Sequence, residues 1–256
     1  MRLEIHLMNR NIITVKWGTR YGSEYVNILH RAVGRHLRGD FKFYCCTDNC
    51  DGLDTGIKTI PFPPDPGLKR GWPDVLVKLL VTQDGFGDLS GPTLFLDLDV
   101  AIMEDITPFF EYMPGKNCII RNWVGGLRAL TGRRPDVGNS SVFRFEAGSS
   151  GHIHETFLKE MHLAENLSIY NTEQAFLTHA MKELYWWPEE WCRSYKRHCR
   201  PVFPFNLVSP PPRPSGCKIL VFHGRPDPDE AIRGYRGRKI RHHMLPAPWI
   251  AEHWKH

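Results

Sequence analysis

No stretch of the 256-residue chain approaches the ~18 consecutive apolar residues of a membrane-spanning helix, so none is expected. The opening residues Met1-Arg2-Leu3-Glu4 lack an apolar run ending in small residues, so no export signal is expected. Cysteine is sparse: seven residues, an odd number, cannot make a disulfide scaffold. Reduced thiols in a cytoplasmic protein are the expectation. No fixed-period repeat and no low-complexity tract is visible. With 41% hydrophobic and 24% charged residues, a disordered or fibrous chain is excluded. What remains is the composition of one α/β domain.

A net excess of charge of one sign is also absent outside one segment. The chain carries 33 Lys/Arg against 28 Asp/Glu, a net +5. Residues 231–256 hold Arg233, Arg236, Arg238, Lys239, Arg241 and Lys255 against Glu252 alone, which accounts for the whole excess. Residues 1–230 therefore form a charge-balanced body, and 231–256 a basic C-terminal tail. A localized patch does not point to nucleic acid. It fits phosphate groups, anionic lipid or solubility.

Strands and helices alternate along the body. Ile12–Trp17 and Phe41–Cys46 read as strands, and Tyr25, Ile28, Leu29, Ala32, Val33 and Leu37 recur at helical spacing between them. Ile57–Ile60 is a third strand, Trp72–Val81 a helix and Thr93–Leu98 a buried strand. A short helix at 105–111 precedes strands at 118–121 and 141–145, with a Gly- and Arg-rich loop at 122–138 between these two. Helices at 150–163 and 172–184 and a last strand at 218–222 complete the pattern. This predicts a mostly parallel central sheet with helices on both faces, as a single domain. Ligands of such sheets bind beyond the C-terminal strand ends, so Trp17–Tyr21, Asp48, Asp97–Asp99 and His223 are the positions to watch.

Leu94-Phe95-Leu96-Asp97-Leu98-Asp99-Val100 carries the most information. An apolar strand runs into two carboxylates one residue apart, which strand periodicity would place on one side. Such a pair repels itself when buried unless a cation intervenes, and a hard divalent ion such as Mg²⁺ or Mn²⁺ is the natural one. Two families use this pattern: the DxD glycosyltransferases and the haloacid-dehalogenase-type phosphatases. In the second, Asp97 would be the nucleophile. Those phosphatases carry the motif on the first core strand and a second acidic pair later. Here three candidate strands precede it, and His223-Gly224 follows the last strand instead.

The wider pattern resembles the GT-A glycosyltransferases, and within them the family 8 group that includes glycogenin and bacterial galactosyltransferases. The resemblance runs in order over roughly residues 10–230. It rests on Trp17-Gly18-Thr19-Arg20-Tyr21, Lys78-Leu79, Asp97-Leu98-Asp99 with Ile106-Thr107-Pro108-Phe109-Phe110, Gly138-Asn139-Ser140-Ser141-Val142-Phe143, Thr172-Glu173-Gln174-Ala175-Phe176-Leu177 and Phe222-His223-Gly224. Two positions depart from the family pattern: Glu173 stands where an Asp is usual, and Asp227 roughly where a phosphate-binding Lys is expected.

The resemblance implies transfer of a sugar from a nucleotide diphosphate donor, UDP-linked by expectation, to an acceptor hydroxyl in bacterial glycan or polysaccharide synthesis. Asp97, Asp99 and His223 would hold Mn²⁺ or Mg²⁺. Lys78 and Arg225 would add positive charge at the phosphates. Trp17 or Tyr21 would stack on the base, and Asp48 would accept a hydrogen bond from base or ribose. Asn139 and Gln174 would line the donor sugar, with Gln174 facing the reacting carbon; Glu173, if it points inward, could serve as a general base. A glycan or a lipid-linked acceptor, and peripheral contact with the inner membrane face, are the partner expectations. A nucleotide- or carbohydrate-binding module without turnover is the non-enzymatic alternative. Cys45 and Cys46 alternate along a strand and cannot share a zinc, and Cys192, His198 and Cys199 have no second ligand pair. The aromatic and basic mixture from Tyr185 to Arg200 is read as core aromatics plus a solvated face.

Overall fold

The computed structural model describes residues 10–63, 74–124, 135–160 and 172–255. A seven-stranded sheet forms its centre. The strands are β1 (Arg10–Lys16), β2 (Phe41–Thr47), β3 (Ile57–Pro61), β4 (Gly91–Leu96), β6 (Asn117–Arg121), β7 (Gly138–Ala147) and β8 (Leu184–Trp186), in the order β3-β2-β1-β4-β7-β6-β8. β1 pairs in parallel with both β2 and β4, with Ile12 opposite Phe43 and Leu94. A strand buried on both faces and flanked on both sides reads as an unbroken apolar run, which is why Ile12–Val15 is legible.

The sheet is mixed. β7 runs antiparallel to both neighbours, β4 and β6, while β8 returns parallel to β6. A second sheet of three short strands lies beside it: β5 (Val100–Ile102), β9 (Cys192–Ser194) and β10 (Ile219–Val221), in the order β5-β10-β9.

Alternate residues of the central strands fill two cores. On one face Ile12, Phe43, Leu94 and Val142 pack against Val26, Leu29 and Val33 of α1 (Ser23–His36). On the other, Ile13, Tyr44, Phe95 and Phe143 meet Ile153 and Phe157 of α3 (Gly151–Glu160) and Phe176 and Leu177 of α4 (Glu173–Ala180). Each large side chain withdrawn from water this way contributes roughly 1.5–3 kcal/mol. Helices therefore flank both faces, as expected. The Trp72–Val81 helix is a 3-10 helix at Asp74–Thr82, and its expected first residues lie outside the described ones. The end of the 150–163 helix and the middle of the 122–138 loop also lie outside them.

Between α2 (Pro108–Glu111) and β7 sits the largest fully buried side chain, Arg144. Its guanidinium donates to the carbonyl oxygens of Phe109 at 2.6 Å, Tyr112 at 2.7 Å and Lys116 at 2.9 Å, and to that of Met113. One cation thus satisfies carbonyls that a four-residue helix and its following turn leave open.

The segment after β10 is folded onto the body. α5 (Pro228–Arg233) begins at Asp227, which forms a capping box with Glu230. Ala231, Met244, Ala247, Ile250 and Trp254 are buried with Ile28 of α1 and Leu220 of β10. The basic residues of 231–256 accordingly ride on a packed segment, with Arg236, Arg238, Lys239 and Arg241 all exposed.

The strand order sets the site. The chain moves from β1 outward to β2 and β3, then returns to β4 on the other side of β1. The loops after β1 and β4 diverge there and leave a crevice at their carboxyl ends.

Candidate active site

The loop after β1, Trp17–Tyr21, and the acidic turn after β4, Asp97–Asp99, both open into that crevice. A cleft of about 630 Å³ is lined by Trp17, Arg20, Tyr21, Lys78, Phe95 and Asp97. It adjoins a smaller one of about 230 Å³ lined by Asp99, Glu173, Gln174 and His223 among others. A third, of about 250 Å³, adds Asn122, Trp123, Asn139 and Arg197 and shares Gln174 and His223 with the second. The shared walls make one trough.

β4 ends at Leu96, so Asp97–Asp99 is a turn and not the continuation of the strand. Strand periodicity does not place the two carboxylates; the turn does. The Asp97 amide donates to the Ser141 carbonyl at 2.9 Å, tying it to β7. The Asp99 carbonyl accepts from the Phe222 amide at 3.1 Å, tying it to the end of β10. That second bond carries His223 to the trough.

Each carboxylate has a protein partner. Lys78 donates to Asp97 at 2.9 Å and to Ser140 at 3.2 Å, and stands 3.8 Å from Glu173. Ser140 donates in turn to Glu173 at 2.9 Å. Burial by itself would lower the Lys78 pKa, but Asp97 and Glu173 outweigh it and hold the ammonium charged. Tyr21 donates to Asp99 at 3.1 Å and lies 3.3 Å from Asp227. Burial, then the charge of Asp97, raises the Asp99 pKa well above the usual carboxylate range. The Tyr21 phenol is raised too, by burial and then by Asp99 and Asp227.

His223 is set differently from the expectation. Its Nε2 lies 2.6 Å from Ser194 Oγ, and its ring stacks on Trp123 at 5.8 Å and 17°. Burial, with Lys196 and Arg197 close by, lowers its pKa to about 4, so the imidazole is neutral. Among the described residues no three His, Cys, Asp or Glu side chains are gathered as a metal-binding group. Asp97, Asp99 and His223 share the trough wall without forming the expected three-ligand set. Asp97 is neutralised by Lys78, and the Nε2 of His223 is turned to Ser194. The two carboxylates still fit a hard cation, because the buried Asp99 is destabilised by the charge of Asp97.

Other expected residues separate into those in the trough and those beside it. Trp17 is exposed, lines the cleft and stacks on Phe62 at 5.7 Å and 20°. The Tyr21 ring is taken by Arg20 at 4.8 Å and Tyr25 at 4.6 Å, so it positions Asp99 and does not offer a base-stacking face. Asp48 accepts from the Gly18 amide at 3.0 Å and shapes the loop from outside the cleft. Gly18 needs its freedom there, with a φ of +67°. Asn139 is buried; its Oδ1 accepts from the Ser141 amide at 3.1 Å. Gln174 accepts from Asn122 at 3.2 Å, and Thr172 caps the start of α4, which aims Glu173 and Gln174 inward.

Arg225 is the clear departure. It is exposed and paired with Glu230 and, at 3.6 Å, with Asp227. It does not line the trough. Lys196 donates to the His223 carbonyl, and Arg197 lines the wall. Both follow β9, a three-residue strand that periodicity cannot reveal. Asn122, Trp123, Ser194, Lys196 and Arg197 are site residues that sequence reasoning did not single out, and Ser140 entered it only as part of a motif.

No protein-family model matches the sequence, and no curated protein sequence matches it. Solved structures do. The galactosyltransferase LgtC, solved with donor and acceptor sugar analogues, superposes with a TM-score of 0.58 at 13% identity, over 85% of this chain and 88% of that one. The glycosyltransferase GlyE of Streptococcus pneumoniae TIGR4 gives 0.54 at 15% identity, over 86% of this chain and 56% of that one. The WbbM bifunctional glycosyltransferase gives 0.57 at 10% identity, over 88% and 47%. The chain thus spans most of LgtC and about half of the other two. Its fold is that of the GT-A glycosyltransferases, similar to the family 8 type.

Proposed function

We propose that this protein transfers a hexosyl group from a nucleotide diphosphate sugar, a UDP-sugar by preference, to an acceptor hydroxyl. One observation supports this most directly: the acidic turn lies at the switch point of the sheet, in one trough with Lys78, Glu173 and Gln174. The exposed Trp17 face and the cleft beside it suit a nucleoside. Asp97 and Asp99 would hold Mn²⁺ or Mg²⁺, and His223 would join them by releasing Ser194. The metal supplies Lewis-acid stabilisation of the leaving diphosphate. Lys78 and Arg20 add fixed positive charge at the cleft, and Lys196 and Arg197 do so at the far wall.

Gln174 and Asn139 would orient the donor sugar. Glu173 is engaged by Ser140 and Lys78, which makes it a positioning carboxylate in this arrangement and not a free base. The acceptor would enter at the end lined by Asn122, Trp123 and Arg197, where an aromatic edge and a guanidinium suit a glycan. The transferase reading is preferred over the phosphatase alternative because the acidic motif follows the fourth strand of this sheet.

Calorimetric titration with UDP, with and without Mn²⁺, tests the reading. Metal-dependent binding that disappears in Asp99→Ala is expected, together with sugar release from a UDP-hexose. Absence of nucleotide binding would overturn it. Binding without any release or transfer would instead favour a binding module.

A further inference from the structure

Of the seven large hydrophobic side chains exposed among the described residues, five fall on two short segments. Val202, Phe203, Phe205 and Val208 are 75%, 54%, 60% and 75% exposed, and Ile240 is 56% exposed. The segments touch. Buried Asn206 donates to the carbonyls of Ile240 at 3.2 Å and His243 at 2.8 Å, which fastens the turn at 205–207 to the turn at 240–242. The two exposed apolar segments are therefore held side by side on the surface.

The patch is framed by one sign of charge. Residues 195–208 and 231–251 contain no Asp or Glu. Arg238, Lys239 and Arg241 flank Ile240 and are exposed. Burial, and then Arg197 and Arg241, lowers the Arg200 pKa, so these three guanidinium groups lie in one field. The cationic band starts at Arg197 on the trough wall and ends beside the patch.

We propose that the surface formed by residues 202–208 and 238–241 docks on an anionic lipid bilayer. Its aromatic and branched side chains enter the headgroup–acyl boundary, and its guanidinium groups meet lipid phosphates. Charge decides between this occupant and others. A second copy seated on the same patch would set two like-charged rims against each other. A nucleic acid would engage the cations and leave five apolar side chains without a role.

Co-sedimentation of the full chain with phosphatidylcholine vesicles, with and without phosphatidylglycerol, tests the proposal. It needs neither nucleotide nor acceptor, so it holds or fails independently of the proposed transfer. Binding to the anionic vesicles is expected, about tenfold weaker on neutral vesicles and weakened by salt. Phe205→Ser/Val208→Ser, at exposed positions and with an unchanged melting profile, should weaken it about tenfold. Arg238→Gln/Arg241→Gln should weaken it on anionic vesicles alone. No binding to anionic vesicles, undiminished binding by either variant, or a dimer that Phe205→Ser/Val208→Ser dissolves would overturn the proposal.

Discussion

Arg144 and Lys78 are both buried cations beside the same sheet, and they are satisfied in opposite ways. Arg144 spends its terminal donors on main-chain carbonyls around α2 and on the Cys118 sulfur, its Nε stays unpaired, and no carboxylate among the described residues pairs with it. Lys78 meets only side chains, those of Asp97, Ser140 and Glu173, all on or next to the trough. A main-chain partner cannot be exchanged without unfolding. A carboxylate partner can be handed to another cation. The first arrangement holds a turn in place; the second keeps an acidic site poised.

The contrast is broken most forcefully at Arg144. Arg144→Met leaves several carbonyls unsatisfied at once, and should cost about 3–5 kcal/mol of unfolding free energy. Urea unfolding followed by circular dichroism measures this. UDP affinity of the fraction that folds should stay near the parent value, and a selective loss of nucleotide binding would contradict the structural role of Arg144.

Lys78→Met tests the other side. Its partners face the trough, so the stability loss should be smaller, about 1–2 kcal/mol. Turnover of a UDP-hexose should fall about a hundredfold. Added Mn²⁺ with UDP should recover more of the melting temperature in Lys78→Met than in Arg144→Met. Equal recovery in both would erase the distinction.

The smallest effect concerns Asp99, the other carboxylate of the acidic turn, which Tyr21 holds. The Asp99 pKa is raised in the folded protein. Its contribution to stability is therefore fully present below the ordinary carboxylate pKa of about 4 and is lost as the pH rises towards neutrality. Without metal, Asp99→Asn should melt a few degrees above the parent at pH 8 and match it near pH 4. A parent that is the more stable at pH 8 in chelator would show that the burial of Asp99 is already compensated.

Much of this was legible in the chain, and what was not has physical reasons. β1, β2 and β4 are buried on both faces and read as apolar runs, and α1 shows its spacing. The acidic motif, Glu173, Gln174 and Asn139 all reach the trough. β5, β8 and β9, of three residues each, contain too little sequence to show a period, so of the second sheet only β10, within the apolar run at 218–222, was legible, and β8 was missed at the edge of the first. The direction of β7 depends on partners far along the chain. Lys196 reaches the His223 carbonyl only because β9 pairs with β10. Arg225 is two residues from His223 in sequence, yet Glu230 and Asp227 draw it outward. Nearness in sequence misled there because the capping box of α5 had the stronger claim on the chain.

The bonds at the two ends of the acidic turn carry a mechanical consequence. Asp97 is fastened to the large sheet through Ser141, and Asp99 to the small sheet through Phe222. The turn is thus a hinge pin between two plates. A change in the angle between the two sheets would be felt directly in the spacing of the two carboxylates, because each carboxylate's residue is tied to a different sheet.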